Sequence, residues 1–297
     1  MQWGMKNRLS KIIKPKTGRT VMLAVDHGYF LGPTSGLENF SKSIKPLIPY
    51  TDTLFLTRGM LRSSIEPHSD VPVMLRASGG TSILSKELLH EGVTLAMEDA
   101  IRMNAVGIGY SIMVGADFER DTILDLARLV DEAERYGLIV MAVTAVGKDM
   151  VKDARYLSLA CRMAAEHGAH MVKTYYCEDF NKVVDTCPVP IVMAGGKKIP
   201  ELDSLTMAYN AIQAGAVGVD MGRNIFQSEN PVAMIQAVRA VVHNNATPQD
   251  ALDLFNNIKS GNIDSGSGSG SEGNSSGSED KKTNTEPKIE DESFVTA

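Results

Sequence analysis

The sequence predicts an α/β fold closed as a (β/α)8 TIM barrel, and three observations predict it. Eight short apolar runs of strand length recur along the first 260 residues, each followed by a longer covering segment. A body of that size matches the roughly 250 residues such a barrel takes. The first run leads into Asp26-His27-Gly28 instead of the G-x-G-x-x-G turn of a doubly wound dinucleotide fold.

The runs are 21–25 ("VMLAV"), 53–56 ("TLFL"), 73–76 ("VMLR"), 105–109 ("AVGIG"), 139–143 ("IVMAV"), 171–174 ("MVKT"), 191–194 ("IVMA") and 217–221 ("VGVDM"). Each is rich in β-branched or small residues, as strands buried on both faces require. Between them lie helical patterns. Over 117–137, Ile123, Leu126, Leu129, Val130 and Ala133 share one face and Gly137 supplies a stop. The stretch 149–168 repeats that design, Pro200 opens a helix that ends near Gly215, and 231–244 and 248–259 form a last pair, each with proline first.

Residues 1–260 therefore form one catalytic-sized barrel domain. Residues 261–297 are expected to be a disordered, acidic, Ser/Gly-rich tail, because they hold too little apolar surface to offset their ordering entropy. Of the net charge of -6, the tail supplies -5, so the body is close to neutral with 27 basic against 28 acidic residues. Nothing in that balance asks for nucleic acid or an anionic membrane. No apolar run reaches the roughly 18 to 20 residues of a membrane span. The N-terminus lacks the apolar core of a signal peptide, and three cysteines without ligand spacing suggest neither a disulfide framework nor zinc, so a reducing cytoplasm is expected.

Catalytic groups of such a barrel come from the C-terminal ends of the strands. Here those ends carry Asp26 and His27, Arg58, Arg76 with Ser78, Thr144 with Lys148, Lys173, Gly195 with Gly196, and Gly222 with Arg223. Lys173, in "HMVKTYYCE", lies inside a strand and shares a face with Met171 by period-2 alternation. If that face points inward, desolvation favours the neutral amine that attacks a carbonyl as a Schiff-base nucleophile. An ion pair with Asp26, or a stem reaching to solvent, are the plainer readings.

"AGGKK" after the seventh run and "DMGRNIF" after the eighth place Gly195, Gly196, Gly222 and Arg223 where barrels bind phosphate, with Lys197 a further cation. The plainer reading is a pair of tight turns. Asp26 could orient Lys173 or shuttle a proton, and His27 could be a general acid or base or a packed ring. Cys177 reads as a small buried hydrophobe, and the other histidines lack metal-ligand spacing, so no metal is expected.

"AVDHGYFLGPTSGLE", "VTAVGKDMV", "VKTYY", "PVPIVMAGGKK" and "GVDMGRNIFQSENPVAM" together resemble the archaeal-type class I aldolase family, from about Trp3 to Lys259. The resemblance implies a barrel with its Schiff-base lysine at Lys173, its acidic first-strand residue at Asp26, and phosphate loops at Gly195-Gly196 and Gly222-Arg223. The family's aldolases carry a proton-donating tyrosine after strand five. Thr144 stands in its place here, and the stretch resembles that of the family's thiolase branch. This branch implies acetyl transfer from a phosphorylated five-carbon dione to coenzyme A as co-substrate, with no bound cofactor, in the breakdown of autoinducer-2. Lys173 would serve as Schiff base or as general base. A ring-type homo-oligomer is also implied, and the chain starts later than the family's bacterial members. The competing reading is a Schiff-base aldolase acting on a sugar phosphate such as fructose 1,6-bisphosphate.

Overall fold

The structure, a computed structural model, describes residues 1–86, 88, 90–144 and 152–261. Lys148 and nearly all of the expected tail lie outside the described residues. Eight parallel strands close a barrel in sequence order: β1 (Thr20–Ala24), β2 (Thr53–Leu56), β3 (Val73–Arg76), β4 (Gly107–Ile112), β5 (Ile139–Thr144), β6 (Met171–Tyr175), β7 (Ile191–Ala194) and β8 (Gly218–Met221). β8 pairs with β1 to complete the ring, with Met22 opposite Asp220. The expected runs and these strands agree closely. β4 is displaced toward its C-terminal end because its pairing with β5 continues as far as Ile112 and Thr144.

Alternation along each strand divides the core in two. Val21, Leu23, Leu54, Leu75, Ile108, Val140, Val172 and Val219 face the helical ring. Met22, Phe55, Met74, Met141, Val143, Met171 and Val192 fill the interior. Interior space is rationed by glycine: a Cβ on Gly109 would lie 2.5 Å from the Phe55 ring, so the bare backbone of β4 makes room for that ring.

Helix Trp3–Ile12, not anticipated from the sequence, closes the N-terminal end of the barrel. Its Met5, Leu9 and Ile12 pack into the interior cluster, and Arg8 Nη1 donates to the Gly137 carbonyl at 3.1 Å. That end of the barrel is thereby covered.

The covering helices start and stop where local chemistry dictates. Helix Glu119–Tyr136 ends at Gly137 with φ 71°, the left-handed stop expected of it. Helix Ala154–Glu166 begins after Asp153, whose carboxylate accepts from Tyr156 N at 2.8 Å; this cap sets the start later than the expected 149. Helices Pro231–Asn244 and Pro248–Lys259 match expectation, the second through a Thr247/Asp250 capping box. Between β3 and β4 an antiparallel ribbon, Ser78–Gly79 with Gly92–Val93, rises beside the mouth. Among the described residues no helix is long and apolar enough to cross a membrane.

Candidate active site

β6 carries Lys173 inward at the C-terminal mouth, level with Val143 of β5 and Val192 of β7. The side chain is buried, which removes the reading in which its stem reaches solvent. Its partner is Asp220 on β8, with Nζ 2.9 Å from Oδ2, and not Asp26. Alternate strands contribute to one interior layer of a barrel, so β6 and β8 can face each other over β7. Asp220 has no exposed surface, and neither of its oxygens has an aligned hydrogen-bond donor among the described residues. Lys173 and Asp220 form a charge pair at hydrogen-bonding distance. Burial raises the Asp220 pKa above the ordinary carboxylate value, with Lys173 opposing it.

Asp26 is engaged elsewhere. Arg76 Nε donates to its Oδ2 at 2.7 Å, and Arg76 Nη2 lies 2.7 Å from the same oxygen. Arg76 also donates to Ser111 Oγ at 2.6 Å and to Ser78 Oγ at 3.2 Å. Burial would raise the Asp26 pKa, but Arg76, Lys173 and His27 together hold it below the ordinary value, so it stays ionised. Burial likewise opposes the Arg76 charge. Tyr29, Asp26 and Glu91 outweigh it and raise its pKa. The Phe55 ring is the floor beneath both cations, with Arg76 Cζ 5.0 Å and Lys173 Nζ 5.2 Å from its centre.

His27 is a buried ring packed edge-on against Phe226, with 5.6 Å between ring centres. Its Nδ1 is 3.9 Å from Asp26 Oδ1. Burial first, and then the charges of Arg223, Lys173 and Arg76, push its pKa down to about 3 against the pull of Asp26. At neutral pH it is uncharged, a ring held at the wall of the site against Phe226.

On the β7–β8 side, Gly195, Gly196, Gly222 and Arg223 come together as the glycine loops suggest. Asn224 ties the two loops: its Nδ2 donates to Gly195 O at 2.6 Å and Lys197 O at 3.0 Å, and its Oδ1 accepts from Ile199 N at 2.9 Å. Gly196 has φ 67°, which a side chain would strain. A Cβ on Gly222 would strike the Ala24 carbonyl and lie 2.6 Å from His27 Cε1, so only glycine lets the β8 loop lie against the end of β1. Lys152 joins Arg223 and Lys197 there. Burial and those two neighbouring cations push its pKa down to about 8, and its Nζ stands 3.9 Å over the Tyr175 ring. Mutually repelling cations at one rim are the electrostatic outline of an anion site.

Other sequence expectations resolve as follows. The Thr144 hydroxyl lies 2.8 Å from Thr174 Oγ1, tied between β5 and β6. Arg58 stands at the outer rim, where Nη1 bonds Asp99 at 3.0 Å. Cys177 is a buried member of the core. Sequence reasoning missed Asp220, Lys152 and Asn224. The signal for Asp220 was a lone acid on the inward alternation of "VGVDM"; for the other two there was none.

A parallel barrel with a buried lysine on its sixth strand sets an amine at the end where (β/α)8 enzymes keep their catalytic groups. Residues 20–228 match the DeoC/LacD family aldolase domain, and the chain belongs to that family. Over 256 residues it is 56% identical to 3-hydroxy-5-phosphonooxypentane-2,4-dione thiolase of Photorhabdus laumondii, covering 86% of this chain and 88% of that one. The thiolase of the same name from Escherichia coli K12 is 54% identical over the same shares. Among solved structures, an archaeal fructose-1,6-bisphosphate aldolase with its catalytic lysine covalently bound to the carbinolamine intermediate of the substrate superimposes with a TM-score of 0.73. It is 25% identical and covers 80% of this chain and 99% of its own.

Proposed function

We propose that this chain is an acyltransferase, a thiolase that moves the acetyl group of 3-hydroxy-5-phosphonooxypentane-2,4-dione to coenzyme A. The products are acetyl-CoA and dihydroxyacetone phosphate, in the breakdown of autoinducer-2. The observation that carries the reading is the amine of Lys173 buried against Asp220 at a mouth whose other rim gathers Lys152, Lys197 and Arg223. The similarity to thiolases so named supports the choice of reaction.

The phosphate would bind at Gly195, Gly196, Gly222 and Arg223, which sets the C4 carbonyl against Lys173. Asp220 takes the ammonium proton, and the neutral amine condenses with C4 and releases water. The coenzyme A sulfur gives up its proton and adds to C2. The C2–C3 bond then breaks: C1 and C2 leave as the acetyl thioester, and the electron pair of that bond flows from C3 into the iminium, leaving an enamine. A proton equivalent to the one lost by the thiol returns to C3, and water releases dihydroxyacetone phosphate from Lys173. Asp26, clamped by Arg76, would orient Lys173 or shuttle a proton, and Asp26 or His27 would return the proton to C3. The second role for Lys173, as base toward the thiol, uses the same Asp220 pair. We place the enzyme in the cytoplasm as a homo-oligomer, whose contacts would cover exposed apolar groups such as Trp3, 79% exposed, and Leu159.

The test is direct. The chain is incubated with the phosphorylated dione and coenzyme A, then separately with fructose 1,6-bisphosphate. Acetyl-CoA with no cleavage of the bisphosphate is expected, together with a borohydride-trapped adduct on Lys173. Bisphosphate cleavage without acetyl-CoA would overturn the reading in favour of a sugar-phosphate aldolase, the activity named for the archaeal structural relative.

A further inference from the structure

We infer that the cavity of about 720 Å³ between the ends of β1, β2 and β3 receives the pantetheine arm of coenzyme A and delivers its thiol to Asp26 and Arg76. The inference rests on the acyl-transfer reading and adds where the acceptor enters.

Space argues for it first. The cleft around Lys173 encloses only about 20 Å³, about the space one water takes, and cannot house a second long substrate. The larger cavity meets that cleft at two shared residues, Asp26 and Arg76. An acceptor as long as coenzyme A must therefore approach from the larger side. The Asp26–Arg76 pair is a wall common to the cleft and the cavity, so a thiol brought to that pair from the larger side comes up beside the cleft.

Wall chemistry argues for it second. Val25, Leu37, Phe40 and Met60 give apolar patches in a wall that also offers hydroxyls, such as Thr57 and Ser78, and the polar side chains of Glu38 and Asn39. A neutral amide chain bearing a branched methyl pair suits a wall that mixes apolar patches with hydroxyl and amide partners.

Charge argues for it third. Arg58 lines the cavity at its outer end. It shares one carboxylate, Asp99, with Arg62 and Arg102, at 3.0, 3.7 and 2.8 Å. Three guanidiniums against two acids, Asp99 and the cavity's own Glu38, leave a net positive charge there, as the acceptor's phosphates require. This rim is separate from the Lys152–Lys197–Arg223 side, so the two anionic substrate ends do not compete.

Gly28 provides the test. It lines the cavity, and a Cβ built on it meets nothing within 4 Å, so a larger side chain there extends into open space. In steady-state kinetics, Gly28→Phe is expected to raise the KM for coenzyme A at least tenfold while the KM for the dione stays within twofold. Met60→Trp on the outer wall, in case Gly28→Phe folds poorly, should give the same split. Calorimetry with desulfo-coenzyme A should show the matching loss of affinity. A wild-type KM for coenzyme A in both variants, or equal rises for both substrates, would overturn the assignment while leaving the reaction intact. A wild-type protein that forms no acetyl-CoA at all would remove the reading itself and the inference with it; borohydride trapping with dihydroxyacetone phosphate would then report separately whether Lys173 is reactive.

Discussion

Replacing Lys173 by methionine keeps the length of the side chain and removes the charge, which isolates the part played by the Asp220 pair. In the native protein the two charges stand 2.9 Å apart, with Asp220 fully enclosed. Opposite charges at that spacing attract by about 6 kcal/mol at an effective dielectric of about 20. Desolvation of both groups offsets much of this, so the pair itself adds little net stability. Its removal by halves is another matter. Lys173→Met leaves a buried carboxylate with no aligned donor, and a loss of about 3–5 kcal/mol is expected at pH 8. Burial already raises the Asp220 pKa and Lys173 is the largest influence opposing it, so the variant's value rises further. Between the unfolded and the raised folded value the native state binds more protons than the unfolded state. Stability therefore falls as pH rises through that window and returns as pH falls below the folded value. Urea unfolding at pH 5 and pH 8 reads this directly. The loss should be smaller at pH 5, and adding Asp220→Asn should recover most of the loss at pH 8. An equal loss at both pH values, unrelieved by the second substitution, would refute the coupling and with it the assignment of Asp220 as the proton acceptor for Lys173.

Two further outcomes are expected. Arg223→Gln removes one cation of the β7–β8 rim, and loss of a charge-assisted contact of about 1.5–3 kcal/mol should raise the KM for the phosphorylated dione by roughly 10- to 100-fold. A dephosphorylated analogue should be insensitive to the same change, and equal sensitivity would remove the phosphate from this rim. Gly222→Ala forces a methyl group against the Ala24 carbonyl and the His27 ring, which should lower stability by about 1–3 kcal/mol in denaturant melts; a neutral result would show that the β8 loop can withdraw from β1 without loss.

The barrel was legible in the chain because its signal is local and repeated. Runs such as "VMLAV" and "IVMAV", each followed by an amphipathic stretch, need no knowledge of partners to be read as buried strands under helices. The helix limits at Gly137, Pro231 and Pro248 were legible for the same reason, since caps act within a turn. Lys173 was legible because a charge between Val172 and Thr174 breaks an apolar pattern at a position whose face alternation fixes. The glycines of "AGGKK" and "DMGRN" were legible by their place after the seventh and eighth runs.

What the lysine faces was not legible. Asp220 is 47 residues away in sequence and two strands away in the barrel, and only closure and register bring its carboxylate to the amine. The same holds for Asp26, which sequence alone could equally pair with Lys173 and which the fold gives to Arg76. Lys152 stands near Arg223 only because two loops meet at one rim, and the acceptor cavity exists only between elements that three separate strands position. Local propensity and periodicity determine which segments are strands and which face each residue takes. Ion pairing, proton affinity and enclosed space depend on distances through space, and those are set only when the ring closes.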